Sequence, residues 1–451
     1  MHHLKSEGEE HKGATCSDCH RPHEVESSSN GKGFYTRAAK TCSECHQQRG
    51  GTFRLSYHGK VAVLGDVAFG QRRVATCDAC HGNHAILAQE DPNSMIHEDN
   101  IVETCAQCHE GAHREFANYM VHADPADGEN YPRVNFFYVV MNSLLIGTLI
   151  LGCLHALLWL IRALAAGDHK IPKPAAAATR WFRRWPRSYV VYHIWMMVTV
   201  LVLACTGLPI HFADMAWAQD FMAVFGGASI AGFIHRAGAV SLGLLFAVYI
   251  FHFLHRLVRQ REKGMFAGGN TMLPRVKDLQ DLWGNIRWFL FLAPRPKYDR
   301  WTYWEKFDFW AATWGLFVIG VTGLMLWFPE SATKIVPGWF INIAVVIHGI
   351  EALLDIAFIF TVHVFHANLR PDKFPMDTMF LTGVISEEEF KHERPAEYQR
   401  AVEEGILEEL LTAKPPSRRK RTVAYIIGSC ALAVGFFFVG AMIVAVLEKL
   451  T

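Results

Sequence analysis

The chain of 451 residues is 51% hydrophobic, 12% aromatic and only 19% charged, with 44 Lys and Arg against 43 Asp and Glu. That balance removes any whole-chain electrostatic case for nucleic acid. Residues 1–133 hold no apolar run long enough to span a bilayer, whereas most of the remainder is a series of such runs, so the chain divides into at least two domains in two solvents.

The first quarter carries eight of the eleven cysteines, as Cys16/Cys19, Cys42/Cys45, Cys77/Cys80 and Cys105/Cys108. Each pair is followed at once by a histidine: His20, His46, His81 and His109. Two thiols three residues apart can add to the two vinyl groups of one haem, and the adjoining imidazole then reaches the iron. A four-thiolate zinc site could also use two C-x-x-C knuckles, but zinc gives no reason for His to follow every second Cys. No βαβ pattern surrounds any pair, which disfavours a redox dithiol. The expectation is four covalent haem c groups. Cys153, Cys205 and Cys430 lie in apolar runs and read as small buried hydrophobes.

Aligning Cys16 with Cys77 and Cys42 with Cys105 gives shifts of 61 and 63 residues, so residues 1–60 and 61–123 read as two copies of a two-haem unit. In each copy the first motif continues to another histidine, His23 or His84, and the second is followed by an aromatic stretch ending in His58 or His122. Four repeat-matched histidines for four sixth positions point to low-spin, bis-histidine irons that carry electrons and bind no substrate. His2, His3, His11, His97 and His113 have no counterpart and read as surface residues, with His11 as the reserve ligand. The linkers are polar and Gly-rich, so this head is expected to be small, packed on its porphyrins and poor in regular structure.

Six apolar spans follow, at 135–162, 189–211, 230–255, 307–328, 340–366 and 423–447, each long enough for roughly 30 Å of hydrocarbon. The fold class is therefore all-α. The first span occupies about 134–164, a four-helix core 185–367, a cytoplasmic segment 368–422, and the sixth span the end. Segment 162–188 holds Arg162, Lys170, Lys173, Arg180, Arg183, Arg184 and Arg187, while 212–229 has no Lys or Arg and 329–339 only Lys334. The positive-inside rule then places both termini outside. Covalent haem attachment also happens outside the bacterial inner membrane, which puts the head in the periplasm and leads us to expect a cleaved leader before His2. The stretch 387–411 alternates charge at helical spacing and reads as a solvated cytoplasmic helix.

Ionisable residues inside spans are functional candidates. His193 lies in the second span, His235, His252 and His255 in the third, and His348, His363 and His366 in the fifth. His348 and His363 are fifteen residues apart, about 22 Å along a helix and about 60° around it, so one helix can serve two stacked haems. An outer haem b would use His235 and His348, and an inner one His193 and His363, with His366 able to replace His363 and His252 able to replace His193. Gly207 in VLACTGLP and Gly323 in VIGVTGLM stand in similar contexts, where a flat macrocycle could approach the backbone.

These residues resemble the four-helix dihaem cytochrome b subunits of membrane formate dehydrogenases and nickel-iron hydrogenases. The carriers are His193, the TGLP at the end of the second span, His235 and the two-histidine fifth span. YWEKFDFW (Tyr303 to Trp310), HVFHANLRPDKFPMDTMFLTG (His363 to Gly383) and ERPAEY (Glu393 to Tyr398) look closer to inner-membrane cytochrome b/c fusions of anaerobic bacteria that exchange electrons between menaquinone and periplasmic multihaem cytochromes. The resemblance covers about 185–400 and implies the same two ligand pairs. Ser56, His58 and Gly59 resemble the SxHG-like distal ligands of multihaem cytochromes. The family places a quinone pocket beside the inner haem.

Four c haems and two b haems would form a wire whose lipid end needs a two-electron carrier, menaquinone or menaquinol. Proton candidates there are His252, His255, Glu351 and Asp355. Glu351 and Asp355 share the helical face of His348, where they could relay protons or orient a ligand imidazole. The expected activity is quinol:cytochrome c oxidoreductase, delivering to a periplasmic multihaem cytochrome. The alternative is a membrane-anchor subunit of a periplasmic dehydrogenase, hydrogenase or reductase complex that reduces quinone. In both, another protein supplies or takes the electrons.

Overall fold

The computed structural model describes residues 16–20, 34–64, 74–167, 180–259, 265–412 and 415–450. Regular structure among them is almost wholly helical. Six helices are long and apolar enough to cross a membrane: Pro132–Ala166, Arg187–His211, Ala228–Val258, Tyr303–Trp327, Trp339–Leu369 and Arg418–Glu448. They coincide with the six expected runs and mostly extend past them, because polar flanks continue the helix. The first begins on Pro132, whose fixed φ and missing N–H suit a first helical position. Half of the fifth span's most apolar window is buried, against 6–22% for the others, so the fifth is the enclosed helix.

The reading of Cys153 and Cys430 as buried is corrected: both are exposed on their spans, and Cys205 is half-buried. An apolar side chain on a span can face lipid instead of protein.

The chain forms two compact units, 1–143 with 205–236 and 318–352, and 144–204 with 237–317 and 353–451. In the first unit the head has more helix than its Gly-rich linkers suggest. Phe34–Cys45, Gln47–Leu55 and Tyr57–Leu64 follow one another closely, and Cys77–His81, Ile101–Ala106 and Arg114–Ala117 are short helices. Part of the reason is the i, i+3 spacing of paired thiols, which is itself one helical face. Val61 and Leu64 pack on Ala213, Met222, Ala228 and Ala231, residues that follow the second span or open the third. Asn342 clamps the head by accepting from the Met120 N–H at 3.1 Å and donating to the Met120 carbonyl at 2.8 Å. Gly338 is required where it stands, since a Cβ there would meet the Glu115 carbonyl oxygen.

The second unit closes on an aromatic core of Trp159, Trp288, Phe289, Tyr298, Trp304 and Phe365. Here the first and sixth spans pack on the fifth through glycines: a Cβ on Gly152 would strike Val362, and one on Gly435 would strike Phe360. Three short strands, β1 (Trp181–Arg183), β2 (Val384–Ser386) and β3 (Leu411–Thr412), form an antiparallel sheet in the order β2-β1-β3, with Phe182 opposite both Ile385 and Leu411.

The single solvated helix expected over 387–411 is also corrected. Helix Glu387–Glu393 ends before Pro395, Pro395–Glu403 follows, and Gly405 at φ 72° turns the chain. Three of its charges, Glu393, Arg394 and Glu397, are buried in ion pairs. Glu397 meets Arg300 at 2.8 Å and Arg184 at 3.4 Å, Arg394 meets Glu305 at 2.7 Å, and Glu393 meets Lys373 at 2.7 Å and Arg370 at 3.2 Å. Charge alternation looks the same in sequence whether water or distant partners satisfy it.

Candidate functional site

Of the motif cysteines in the head, Cys19, Cys45 and Cys108 are exposed, while Cys42, Cys77, Cys80 and Cys105 are half-buried. The three exposed ones are each the second cysteine of a motif. Thiols of different motifs also approach one another. Cys42 and Cys77 share a hydrogen bond, which together with burial pushes the Cys42 thiol well above its ordinary value. Burial, with Cys105 and Cys108 nearby, pushes Cys80 up to about 11.

The structure brings expected ligands of the head together in pairs. His20 and His84 have ring centres 6.0 Å apart, His58 and His109 6.2 Å, and His81 and His122 6.4 Å. Two imidazoles on opposite sides of one iron, each bonded at about 2 Å, leave ring centres roughly 6.3 Å apart. The pairs fit that spacing. Two of the three join a histidine of 1–60 to one of 61–123. His46 lies within electrostatic range of His81; His23 and the reserve His11 fall outside the described residues, as does the Cys16 side chain. Burial holds the His58, His81 and His122 imidazoles below the usual histidine value, in the neutral form that ligates a metal.

Hydrogen bonds at Nδ1 orient several of these rings and leave Nε2 for a metal. His109 Nδ1 is 2.6 Å from Glu330 Oε1, and His122 Nδ1 is 3.2 Å from Thr52 Oγ1. His113, expected at the surface, is half-buried and instead uses Nε2, 3.0 Å from the Glu330 carbonyl. Ser56 accepts from the Gly59 N–H at 3.1 Å, and Gly59 itself sits where a Cβ would meet the Phe53 carbonyl. Both residues flanking His58 therefore hold the backbone that carries it.

The spans hold a fourth pair. His235 and His348 in the first unit have ring centres 6.4 Å apart. Thr206 Oγ1 lies 3.0 Å from His235 Nδ1; Thr322 Oγ1 and the Ile319 carbonyl lie 3.2 and 3.1 Å from His348 Nδ1. A Cβ on Gly207 would come within 2.9 Å of His235 Cε1, and one on Gly323 within 3.1 Å of His348 Cε1. The two glycines thus clear room for the His235 and His348 rings.

In the second unit His193 lies within electrostatic range of His363, and its buried Nδ1 has no hydrogen-bond partner. His363 Nδ1 is 3.0 Å from Asp308 Oδ2. The alternative ligand His366 is otherwise engaged: its Nε2 is 3.2 Å from His155 Nδ1, and its ring stacks on Trp304 at 5.3 Å. The His155–His366 ring centres are 5.1 Å apart, a hydrogen-bonded distance too short to admit an iron. The string continues from His155 Nε2 to the Tyr303 hydroxyl at 2.6 Å, which accepts from Asn285 at 2.7 Å; Asn285 accepts from Tyr298 at 2.5 Å. Around both histidines the fifth span widens into π-helical turns, Ile359–His363 and Phe365–Leu369, which re-aim side chains and collect at functional sites.

Of the four proton candidates, His252 is half-buried with its ring edge-on to Tyr192 at 6.0 Å, and His255 is exposed on Phe251. Glu351 is 4% exposed, and Asp355 is half-buried and partnered. Among the described residues no group of three or more His, Cys, Asp or Glu gathers to hold a free metal ion.

Asp308, His155, Thr206 and Thr322 were missed as site residues. Asp308 and His155 carried the same signal as the other histidines, an ionisable group inside a span. No family of known proteins, no curated protein and no solved structure matches the chain.

Proposed function

We propose that the chain carries electrons across a bacterial inner membrane between menaquinol and a redox partner outside, as a quinol:cytochrome c oxidoreductase. The supporting observation is the set of four histidine pairs at 6.0–6.4 Å, the spacing of two axial ligands. Bound haem would supply one-electron chemistry with no open coordination site.

The chain's own residues do the rest. Four C-x-x-C-H motifs attach haem covalently, with His84, His58 and His122 completing His20, His109 and His81, and His23 or His11 completing His46. His235 with His348, and His193 with His363, hold two haem b groups within the four-helix core. The apolar spans exclude water, and the partners at Nδ1 of His109, His122, His235, His348 and His363 fix those imidazoles' tautomers. Arg- and Lys-rich loops of the second unit set the orientation, with the head in the periplasm.

The test uses purified protein in vesicles with a reduced menaquinone analogue. The haem bands are expected to reduce, with the head haems accessible to a soluble cytochrome outside. A stoichiometric catalytic subunit that stays bound through gentle purification would instead establish the anchor-subunit reading.

A further inference from the structure

Asp308 lies in the fourth span, and its carboxylate accepts the His363 Nδ1–H at 3.0 Å. A carboxylate in a span is costly and marks function. Among the described residues, His363 is the one ionisable group within salt-bridge distance of it. The matching nitrogens of the first unit's span pair meet neutral oxygens: the Thr206 hydroxyl at His235, and the Thr322 hydroxyl and Ile319 carbonyl at His348. A hydrogen bond to an anion draws the Nδ1 proton away and makes Nε2 a more basic ligand. A more basic ligand, with a negative charge behind it, favours ferric over ferrous iron.

From this asymmetry we propose that Asp308 is a positioning residue that holds the second-unit haem b at a lower midpoint potential than the first-unit one. It thereby directs electrons from the His193/His363 site to the His235/His348 site. The inference rests on the reading above and adds a direction to it. The step moves one electron: ferrous iron at the second-unit site becomes ferric as ferric iron at the first-unit site becomes ferrous. No proton moves, and the carboxylate is unchanged.

The experiment is a redox titration of the purified holoprotein in the b-type absorption band, with Asp308→Asn and Asp308→Glu beside the unchanged chain. Two b-type components are expected. Asp308→Asn should raise the lower one until its oxidised-to-reduced ratio at a fixed potential falls at least tenfold, which is 59 mV for a one-electron couple. The upper component should stay in place, and Asp308→Glu should restore the lower. If Asp308→Asn does not retain its haem, Thr322→Asp puts a carboxylate beside His348 and should lower the upper component. Potentials that do not respond to these charges, or a response at the wrong component, overturn the inference while leaving haem binding standing. Absence of b-type haem from the unchanged chain overturns the proposed function itself.

Discussion

Behind the paired span imidazoles of the first unit, His235 and His348, stand hydroxyls and glycines, Thr206–Gly207 and Thr322–Gly323; behind His363 in the second stands the carboxylate of Asp308. The contrast extends to packing. The first unit seats the head with the Asn342 amide on Met120 and one carboxylate, Glu330, at His109, whereas the second closes on buried ion pairs around Lys373 and Arg370. Identical imidazoles are thus given different electrostatic surroundings by the neighbours that orient them.

The largest expected effect separates the two pairs outright. His348→Ala should remove one haem b and leave the other, and His363→Ala should remove the complementary one, as counted by pyridine-haemochrome spectra. Loss of both from either single variant would show that the pairs are not independent.

Next comes Glu393→Gln, which leaves Lys373 and Arg370 short of a buried partner and should cost about 3–5 kcal/mol, read from denaturant unfolding. Burial opposes ionisation of Glu393, but Lys373 and Arg370 outweigh it and bring its pKa down to about 2 from the ordinary 4.5. Its contribution is therefore complete above about pH 4.5 and is lost as pH falls toward 2. Glu393→Gln should lack that acid-sensitive part, and equal acid sensitivity in the two proteins would contradict the ionic account.

The six spans were legible in the sequence, because a span needs only a sustained apolar run. The pairing of histidines was not. His84 follows the motif of His81 yet stands opposite His20, and nothing local says which imidazoles meet across two copies of a repeat. The exposure of Cys19 and Cys108 was equally hidden, since the spacing of a motif does not say which of its thiols faces outward. Asp308 was in plain sight in YWEKFDFW but read as a family mark, although a charge in a span is itself a signal. Gly207 and Gly323 stood out in the sequence, and each lies against an imidazole, whereas their neighbours Thr206 and Thr322 were missed. The ions of 387–404 were misread because alternating charge does not reveal its partners.

A smaller effect probes the neutral side. Gly207→Ala must displace the His235 ring, and overpacking of this kind costs about 1–3 kcal/mol. Its haem b occupancy at the first-unit site should fall while the second-unit site keeps its haem; Gly323→Ala, with slightly more room, should do less. Unchanged occupancy in Gly207→Ala would mean that the glycine does not serve the ligand.

The smallest effect is at Glu389, which burial pushes up to about 7 while Lys373 pulls against it. A raised carboxyl contributes stability that is complete below about pH 4.5 and lost as pH rises through about 7. Glu389→Gln should match the unchanged chain in thermal melts near pH 4 and exceed it slightly at pH 8. The reverse order at pH 8 would make Glu389 a net stabilising anion of the network.

The measurement closest to the central claim is a quantitative pyridine-haemochrome spectrum of the purified chain before and after acid-acetone extraction. Histidine pairing in the head and the spans predicts four haem c that stay with the polypeptide and two haem b that extract. A chain that binds zinc at its cysteines and yields no haem, or that keeps haem c but never any haem b, would contradict it.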